Sequence, residues 1–332
     1  YMAELKYVEI HGEGFFKISD VDQIRPFFMS IVSDSNHWMF ISSNGGLTAG
    51  RKNSNYSIFP YYTDDKITES TEVTGSKTIF QIEKSRETHL WEPFSDRYYG
   101  LQNINRNLYK NIYGNSVIFE EINQDLGLTF RYQWNSSNRY GFVRRSTLIN
   151  DGDVPVKISV LDGIQNIIPY GVGSDLQNRQ SNLVDAYKRS ELLEDSGLGI
   201  YALSAIIVDR AEPSEALKAN IVWSHGLEKP VCLVSSLQLN KFRQGKSVSV
   251  ERDVKAEKGA YFVNKDLVLN SNDKKSWMIL ANVNQDHNSI AEISQAIRSD
   301  AHLADKIAQD IAKGTDRLVS LTAASDGIQL TA

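Results

Sequence analysis

The stretch that decides the fold is 126–160, LGLTFRYQWNSSNRYGFVRRSTLINDGDVPVKISV. In its first part, large apolar residues alternate with polar ones: Leu128, Phe130, Tyr132 and Trp134 stand between Thr129, Arg131 and Gln133. Successive side chains of a β-strand point to opposite faces, so this period of two predicts a strand with one buried face. The stretch therefore places the chain among β-rich proteins.

The second half of the same stretch predicts an antiparallel hairpin. Residues 142–150 are predicted to form a second strand, and Asn150-Asp151-Gly152-Asp153 at its end is a strong turn signal. Apolar and polar residues then alternate again over 154–160. We predict that 142–150 pairs with 154–160 across this turn.

Strand patterns recur towards the C-terminus. They cover 200–208, 219–223, 231–239, 248–254, 260–269 and 277–284. Many short strands with turn signals between them, and almost no helix inside, predict a mainly β fold with a large antiparallel two-sheet sandwich. Residues 166–197 interrupt the rhythm as a long polar loop, a kind of segment that is often functional.

The C-terminal part predicts helices instead of strands. Apolar residues at 290, 293 and 297, and again at 303, 307 and 311, have the spacing of amphipathic helices. Asp300 is the predicted N-cap of the second helix, and Gly314 is its predicted end.

Composition excludes several classes of protein. The chain has 332 residues, 41% of them apolar, and a net charge of −5, which supports a large core and argues against nucleic-acid binding. The single cysteine, Cys232, allows no intrachain disulfide, which favours a cytoplasmic location while a periplasmic one stays open. There is no long apolar run that would predict a membrane span, and no metal-ligand motif, so neither membrane nor metal nor other cofactor is predicted.

A second stretch, 42–94, holds residue types that suit a carbohydrate ligand. It reads SSNGGLTAGRKNSNYSIFPYYTDDKITESTEVTGSKTIFQIEKSRETHLWEPF. Gly45 and Gly46 permit positive φ or close approach of another group. Arg51, the aromatic and acidic cluster 59–66 and the closing 91–94 place rings beside carboxylates and a guanidinium.

These motifs resemble the N-terminal domain of the cellobiose and chitobiose phosphorylases, inverting sugar phosphorylases of glycoside hydrolase family 94. The shared order is Asn-Gly-Gly, an arginine, a tyrosine-rich turn, and a glycine-containing strand that ends in Trp-x-Pro. Leu47 stands where the family has an aromatic residue, and Glu92 where it has serine. A weaker, collinear similarity continues to about Asn284.

The resemblance implies a galactose mutarotase-like β-supersandwich over 1–285 and a helical linker over 286–332. In that family the linker leads to a separate catalytic (α/α) toroid, which holds the general acid, and inorganic phosphate is the co-substrate. The expected function is that of a non-catalytic N-terminal domain of a phosphorylase or hydrolase acting on β-linked oligosaccharides. Its expected partners are the toroid, a carbohydrate and a second copy of the chain in a homodimer. The sugar, the linkage and the choice between phosphorolysis and hydrolysis stay open.

The candidate substrate or interface residues are Arg51, Tyr61, Tyr62, Asp65, Trp91, Glu92, Lys188 and Arg189. In the resembled family, the loop that corresponds to 166–197 carries a basic residue that reaches towards the catalytic pocket, and a guanidinium can orient hydroxyls or phosphate. Each candidate also has a structural interpretation: closure of the sheet for the 51–65 group, a turn-capping carboxylate for Glu92, and solvated loop cations for Lys188 and Arg189.

No complete acid–base set is visible. Inverting glycoside cleavage needs a carboxylic acid and an activated attacking group. The adjacent carboxylates Asp64-Asp65 and Glu120-Glu121 point to opposite faces in strand geometry, so we interpret them as turn or surface residues. The Arg144-Arg145 pair is interpreted as surface charge for the same reason. We therefore assign no catalytic residue and do not expect turnover by this chain alone, although we expect the full-length protein to be an enzyme.

Two other functions stay open from the sequence. A freestanding sugar mutarotase or epimerase would need a histidine and a glutamate, for which His225 and Glu228 are the pair to test. A non-catalytic glycan-binding module would bind through exposed rings such as those of Tyr61 and Tyr62.

Overall fold

A computed structural model describes residues 4–84, 87–205 and 217–326. Within these ranges it contains nineteen β-strands, five α-helices and a 3₁₀ helix at Val21–Gln23. In chain order the elements are β1 Leu5–Ile10, β2 Glu13–Ile18, β3 Phe28–Ile31, β4 His37–Ser42, β5 Leu47–Arg51, α1 Asp64–Glu69, β6 Gly75–Lys84, β7 Glu87–Trp91, β8 Ile104–Asn111, β9 Val117–Asn123, β10 Leu128–Ser137, β11 Gly141–Asn150, β12 Val156–Ile167, α2 Ser174–Tyr187, β13 Lys188–Leu193, β14 Leu198–Leu203, β15 Lys218–His225, β16 Val231–Ser235, α3 Leu239–Arg243, β17 Asp253–Lys255, β18 Gly259–Leu269, β19 Lys274–Asp286, α4 His287–Ser299 and α5 Leu303–Asp326.

The strands form three antiparallel sheets. The large sheet has eleven strands in the order β1-β2-β8-β9-β10-β11-β19-β15-β14-β13-β17. A five-stranded sheet has the order β16-β18-β12-β6-β7, and a three-stranded sheet has the order β3-β4-β5. The predicted fold class, a mainly β antiparallel sandwich with terminal helices, is confirmed.

The main core unites apolar side chains of all three sheets. Phe130 of β10 packs edge-to-face on Phe80 of β6, with ring centroids 5.2 Å apart, and lies against Trp277 of β19. Ile41 of β4 belongs to the same buried cluster. The period-two pattern of 128–134 appears as predicted, because Phe130, Tyr132 and Trp134 are all buried.

The predicted hairpin between 142–150 and 154–160 is wrong. β11 pairs with β10 and β19 in the large sheet, whereas β12 pairs with β6 and β18 in the five-stranded sheet. The turn signal at 150–153 marks a crossover between the two sheets. Asn150 holds this crossover, since its side-chain amide donates to the carbonyls of Val154 and Asn270 at 2.8 and 2.9 Å.

The predicted loop 166–197 is partly wrong, because it contains α2 and the whole of β13. The apolar signal of α2 is sparse: Val184 is completely buried among Ile168 and Leu203, while most of the helix is polar. Of the predicted strand 248–254, β17 retains 253–254 and extends to Lys255. Part of the predicted strand 200–208 lies outside the described residues.

Helices α4 and α5 confirm the helical pattern of the C-terminal part. Their apolar residues, including Leu303 and Ile307, pack on the outer face of the large sheet beside Trp223 and Leu280. The predicted end at Gly314 is wrong, since α5 continues to Asp326. The two helices thus share a hydrophobic core with the large sheet. The division into a β-domain over 1–285 and a helical linker over 286–332 stays a prediction. None of the described helices is long and apolar enough to cross a membrane.

The glycines of the 44–46 turn have the role that the sequence suggests. Gly45 has φ of +94°, a conformation that side chains rarely adopt. A Cβ on Gly46 would stand 2.2 Å from the carbonyl oxygen of Ile67, so this position needs close backbone approach. Together they allow the β4–β5 turn to pack closely against the backbone of α1.

Candidate functional site

The candidate site is a pocket of about 400 Å³ beside the large sheet. Its wall comes from the 3₁₀ helix, the β4–β5 turn, the segment after β7, and strands β8 and β9. The lining residues are Val21, Asp22, Ile24, Pro26, Ser43, Asn44, Thr71, Phe94, Asp96, Tyr99, Arg106, Asn107 and Phe119.

Glu121 fixes the turn that supplies Phe94 to the pocket. Its carboxylate accepts hydrogen bonds from the indole Nε1 of Trp91 and the backbone N–H of Phe94, both at 2.7 Å. Trp91 itself is 1% exposed, so its ring packs in the core instead of facing a ligand. The Trp-x-Pro motif therefore helps to hold the turn that carries Phe94. Contact of Trp91 with a carbohydrate or with another domain stays a prediction.

Glu92 anchors the same turn from its other side. Its buried carboxylate accepts Arg243 through Nε and Nη2, each at 2.8 Å, and pairs with Lys77 Nζ at 2.9 Å. Burial opposes ionisation, but the hydrogen bonds and charges of Arg243 and Lys77 outweigh it and hold the pKa of Glu92 below its ordinary value. Glu92 is thus an ionised structural carboxylate within the described fold.

Glu72 completes the scaffold of the segment 92–97. It accepts Lys77 Nζ at 2.7 Å, Ser95 Oγ at 2.8 Å and the backbone N–H of Asp96 at 3.1 Å. Burial opposes its ionisation, but Lys77, Ser95 and Asp96 outweigh it and lower the pKa of Glu72 to about 2. The segment is therefore held by two carboxylates that are charged at neutral pH.

Arg106 of β8 forms the polar wall of the pocket. Its Nε donates to Glu121 at 2.8 Å, its Nη1 to Asp96 at 3.0 Å, and its Nη2 to the carbonyl of Ser95 at 2.8 Å. Burial opposes the charge, but Glu121 and then Asp96 outweigh it and raise the pKa of Arg106. The guanidinium is thus fixed in place and 11% exposed, whereas the Asp96 carboxylate is 76% exposed.

Several pocket groups are open to a ligand. Tyr99 is 64% exposed, and neither its hydroxyl nor that of Thr71 bonds to another group within the described ranges. Asp22 is half-buried and accepts from its neighbour Gln23. The second oxygen of Asp96 is not used by Arg106. Rings, hydroxyls and carboxylates therefore face one space, a composition typical of small-molecule sites.

The interpretation of Glu120-Glu121 as turn or surface residues is wrong, since each is 1% exposed. Their predicted opposite directions are correct: Glu121 points to Trp91 and Arg106, while Glu120 accepts Asn107 and Tyr109. Both carboxylates find partners on neighbouring strands, which the local sequence does not reveal.

The interpretation of Arg144 as surface charge is also wrong. Arg144 is completely buried and donates through Nη1 to both carboxylate oxygens of Asp162, at 2.9 and 2.8 Å. This ion pair links the large sheet to the five-stranded sheet. A void of about 20 Å³, lined by Thr78 and Tyr132 of this region, adjoins the pocket at Asn44, Thr71 and Phe94.

The four predicted residues of the 51–65 group lie outside the pocket. Arg51 donates to the side chains of Asn36, Asn138 and Asn282 and to the carbonyl of Asn138. It therefore joins β5 to the β10–β11 turn and to β19, which agrees with a role in sheet closure.

The aromatic turn after β5 faces a different part of the surface. Tyr61 is 39% exposed and meets Trp38 edge-to-face, with centroids 5.5 Å apart. The Tyr62 hydroxyl accepts from Gln177 at 3.2 Å. Asp65 is exposed in the first turn of α1, where hydrogen bonding by Thr63 lowers its pKa. Their predicted role at a domain interface stays a prediction.

Lys188 and Arg189 occupy β13 and also lie outside the pocket. Lys188 is not a solvated cation: its side chain is 2% exposed, its Nζ lies 2.7 Å from Asp185, and burial lowers its pKa. Arg189 is half-exposed and pairs with Asp253 through Nε and Nη2 at 3.0 and 3.1 Å. Both are engaged within the described fold.

The role of His225 and Glu228 as an acid–base pair stays a prediction. His225 ends β15, half-buried, and burial lowers its pKa, while Glu228 is exposed. No hydrogen bond joins them in the described part of the chain, and neither lines the pocket. Cys232 is buried, as predicted for a small hydrophobic residue. Over the described ranges, no group of three or more His, Cys, Asp or Glu could hold a metal ion.

Sequence reasoning missed Arg106, Asp96, Tyr99 and Asp22. They come from separate segments that meet through sheet pairing, so no short motif marks them. Phe94 was the one lining residue inside the quoted closing motif. The stretch 91–99 reads WEPFSDRYY, and its many charged and aromatic residues are a sequence signal that could have pointed to this pocket.

Comparisons with known proteins give no family. No family model matches the sequence, and a search of the curated proteins finds no match. Solved structures with a similar course of the chain include a polysaccharide lyase (TM-score 0.43, 13% identity, 82% of this chain and 34% of that one). Another is a bacterial glucoamylase complexed with acarbose (TM-score 0.45, 8% identity, 88% of this chain and 36% of that one).

A third is a protein assigned as a kojibiose phosphorylase, from the human microbiome (TM-score 0.44, 10% identity, 96% of this chain and 39% of that one). The chain spans between 34% and 39% of the length of these three structures. At such identities and scores the matches assign neither a family nor an activity.

Proposed function

We propose that this chain is the carbohydrate-binding β-sandwich domain of a carbohydrate-active enzyme, and that the pocket binds a sugar ring. The single observation that carries the proposal is the pocket itself: the exposed ring of Tyr99 and the ring of Phe94 face a fixed polar wall of Arg106 and Asp96. Sugars present apolar ring faces and hydroxyl groups, so they fit a surface that offers both kinds of contact.

The size of the pocket agrees with a small saccharide. Small-molecule sites typically enclose about 300–1,000 Å³, and this pocket encloses about 400 Å³. The wall is preorganised, since Arg106 makes three hydrogen bonds before any ligand arrives. Little entropy of the Arg106 side chain is then lost on binding.

The chemistry of glycoside cleavage would come from elsewhere. A general acid must keep its proton near neutral pH, whereas the carboxyls of Glu72 and Glu92 beside the pocket have lowered pKa values. This supports a non-catalytic domain that shapes an active-site entrance and packs on a catalytic toroid in the full-length enzyme, with phosphate as co-substrate if that enzyme is a phosphorylase. Phosphorolysis and homodimer formation rest on the sequence resemblance.

Calorimetric titration of the chain with glucose and cellobiose tests the proposal. We expect millimolar or tighter binding, and about tenfold weaker binding, or about 1.4 kcal/mol, for Tyr99→Ala. Tyr113→Ala is the matched control, because Tyr113 is 42% exposed and lies outside this pocket.

The same preparation should show no turnover of cellobiose with phosphate. Absence of heat with every saccharide, or equal loss of binding in Tyr99→Ala and Tyr113→Ala, would refute the pocket assignment. Turnover by the chain alone would refute the non-catalytic role.

A further inference from the structure

The charges that line the pocket are unbalanced. Asp22, Asp96 and Arg106 are its charged lining residues. The positive charge of Arg106 is already matched by Glu121, whose side chain is 2% exposed and lies 2.8 Å from the guanidinium. The two aspartates therefore leave the wall with an excess of negative charge.

Neighbouring cations do not compensate for this excess inside the pocket. Lys77 and Arg243 are bound to Glu92 at 2.9 and 2.8 Å, Arg97 is paired with Glu72 at 3.2 Å, and none of the three cations belongs to the lining. Arg106 donates three of its five N–H groups to Glu121, Asp96 and Ser95, so an anionic ligand could reach only the remaining two, and only beside these carboxylates. Bringing a second anion beside carboxylates costs free energy, more so where water is partly excluded.

We infer, resting on the proposed function, that this pocket selects by charge: it prefers a saccharide with a protonated amino group over a neutral one, and rejects phosphorylated and uronic sugars. The free oxygen of Asp96 and the half-buried carboxylate of Asp22 are acceptors for the ammonium group. The hydroxyls of Thr71 and Tyr99 remain for the sugar hydroxyls. It follows that the phosphate of a phosphorolytic reaction binds outside this pocket.

Titration calorimetry of the chain with glucosamine, glucose and glucose 6-phosphate tests the inference at a pH below the pKa of the glucosamine amine. We expect glucosamine to bind about two- to fivefold more tightly than glucose, the size of a partly exposed ion pair. We expect glucose 6-phosphate to bind at least about two- to fivefold more weakly than glucose. The preference for glucosamine should disappear as the pH rises through the amine's pKa.

Asp96→Asn is the informative variant, since the amide oxygen can still accept from Arg106 while the charge is gone. It should lower the glucosamine-to-glucose affinity ratio towards one, because one of the two carboxylates that face the ammonium group then carries no charge. Asp266→Asn, an exposed carboxylate outside the pocket, is the control with the same change in net charge and should keep the wild-type ratio.

The outcomes separate this inference from the proposed function. Glucose binding without any preference among the three ligands, or an unchanged ratio in Asp96→Asn, overturns the charge selection and leaves the sugar pocket standing. Tighter binding of glucose 6-phosphate than of glucose also overturns it. No binding of any of the three ligands overturns both.

Discussion

Replacing Asp162 with alanine would remove the carboxylate that neutralises Arg144 between the two larger sheets. Both side chains have no exposed surface. Asp162 also accepts Thr78 Oγ1 at 2.6 Å, Ser146 Oγ at 2.8 Å and Trp277 Nε1 at 2.6 Å. The substitution therefore leaves one buried cation and three buried donors without their acceptor.

The expected cost follows from these contacts. Breaking a buried ion pair by removing one partner costs about 3–5 kcal/mol, and each unsatisfied neutral donor adds about 1 kcal/mol where it cannot turn to another acceptor. We expect Asp162→Ala to lower the free energy of unfolding by about 5 kcal/mol, a large share of the roughly 5–15 kcal/mol of a typical domain.

Urea unfolding followed by far-ultraviolet circular dichroism measures this change. The double variant Asp162→Leu, Arg144→Met removes both charges, so it should be more stable than Asp162→Ala by at least about 2 kcal/mol. Asp253→Ala is the control, because its pair with Arg189 is partly exposed, with 38% and 35% of the side chains accessible; it should cost below about 1 kcal/mol. A cost below about 1 kcal/mol for Asp162→Ala, or no recovery in the double variant, would refute the reasoning.

Three further predictions use the same unfolding assay at several pH values or with other variants. The pKa of Glu72 is lowered from 4.5 to about 2, so stability should fall as the pH drops from 4.5 towards 2, and Glu72→Gln should flatten that part of the profile. Burial lowers the pKa of His37 from 6.5 to about 3; the unfolded chain takes up the proton first, so stability should already decline below pH 6.5, and His37→Phe should remove the slope above pH 4.5. A flat wild-type profile in either range would contradict these assignments. Gly46→Ala places a Cβ 2.2 Å from the Ile67 carbonyl oxygen and should cost more than about 2 kcal/mol. Gly245→Ala meets no atom within 4 Å but has φ of +78°, so it should cost about 1 kcal/mol, and equal costs would speak against the close approach.

The strands were predictable where one face alone is buried. Residues 128–134 alternate in sequence, and β10 covers them with Phe130 and Trp134 inside. The pairing of β11 with β19 was not predictable, because the turn signal at 150–153 is local whereas this pairing joins residues more than a hundred positions apart. Long-range pairing outweighed the local signal.

Buried charge was the other failure of sequence reasoning. Arg144 and Glu121 have polar side chains at positions that the alternation does not distinguish from surface positions. Arg144 is buried because Asp162 of the opposite sheet meets it, and Glu121 because Trp91 and Arg106 do. Such partners become neighbours only through the fold. For the same reason the pocket could be anticipated at the 91–94 motif but not in its full set of walls.

The most direct test of the account is a crystal structure of this chain with cellobiose at a concentration that saturates binding. The account predicts a glucosyl ring in the 400 Å³ pocket, against Tyr99 and within hydrogen-bond distance of Asp96 or Thr71, with no carboxylic acid placed to protonate the glycosidic oxygen. Sugar bound at Tyr61 and Tyr62 with the pocket empty, or an acid and a base converging on the glycosidic bond, would contradict it.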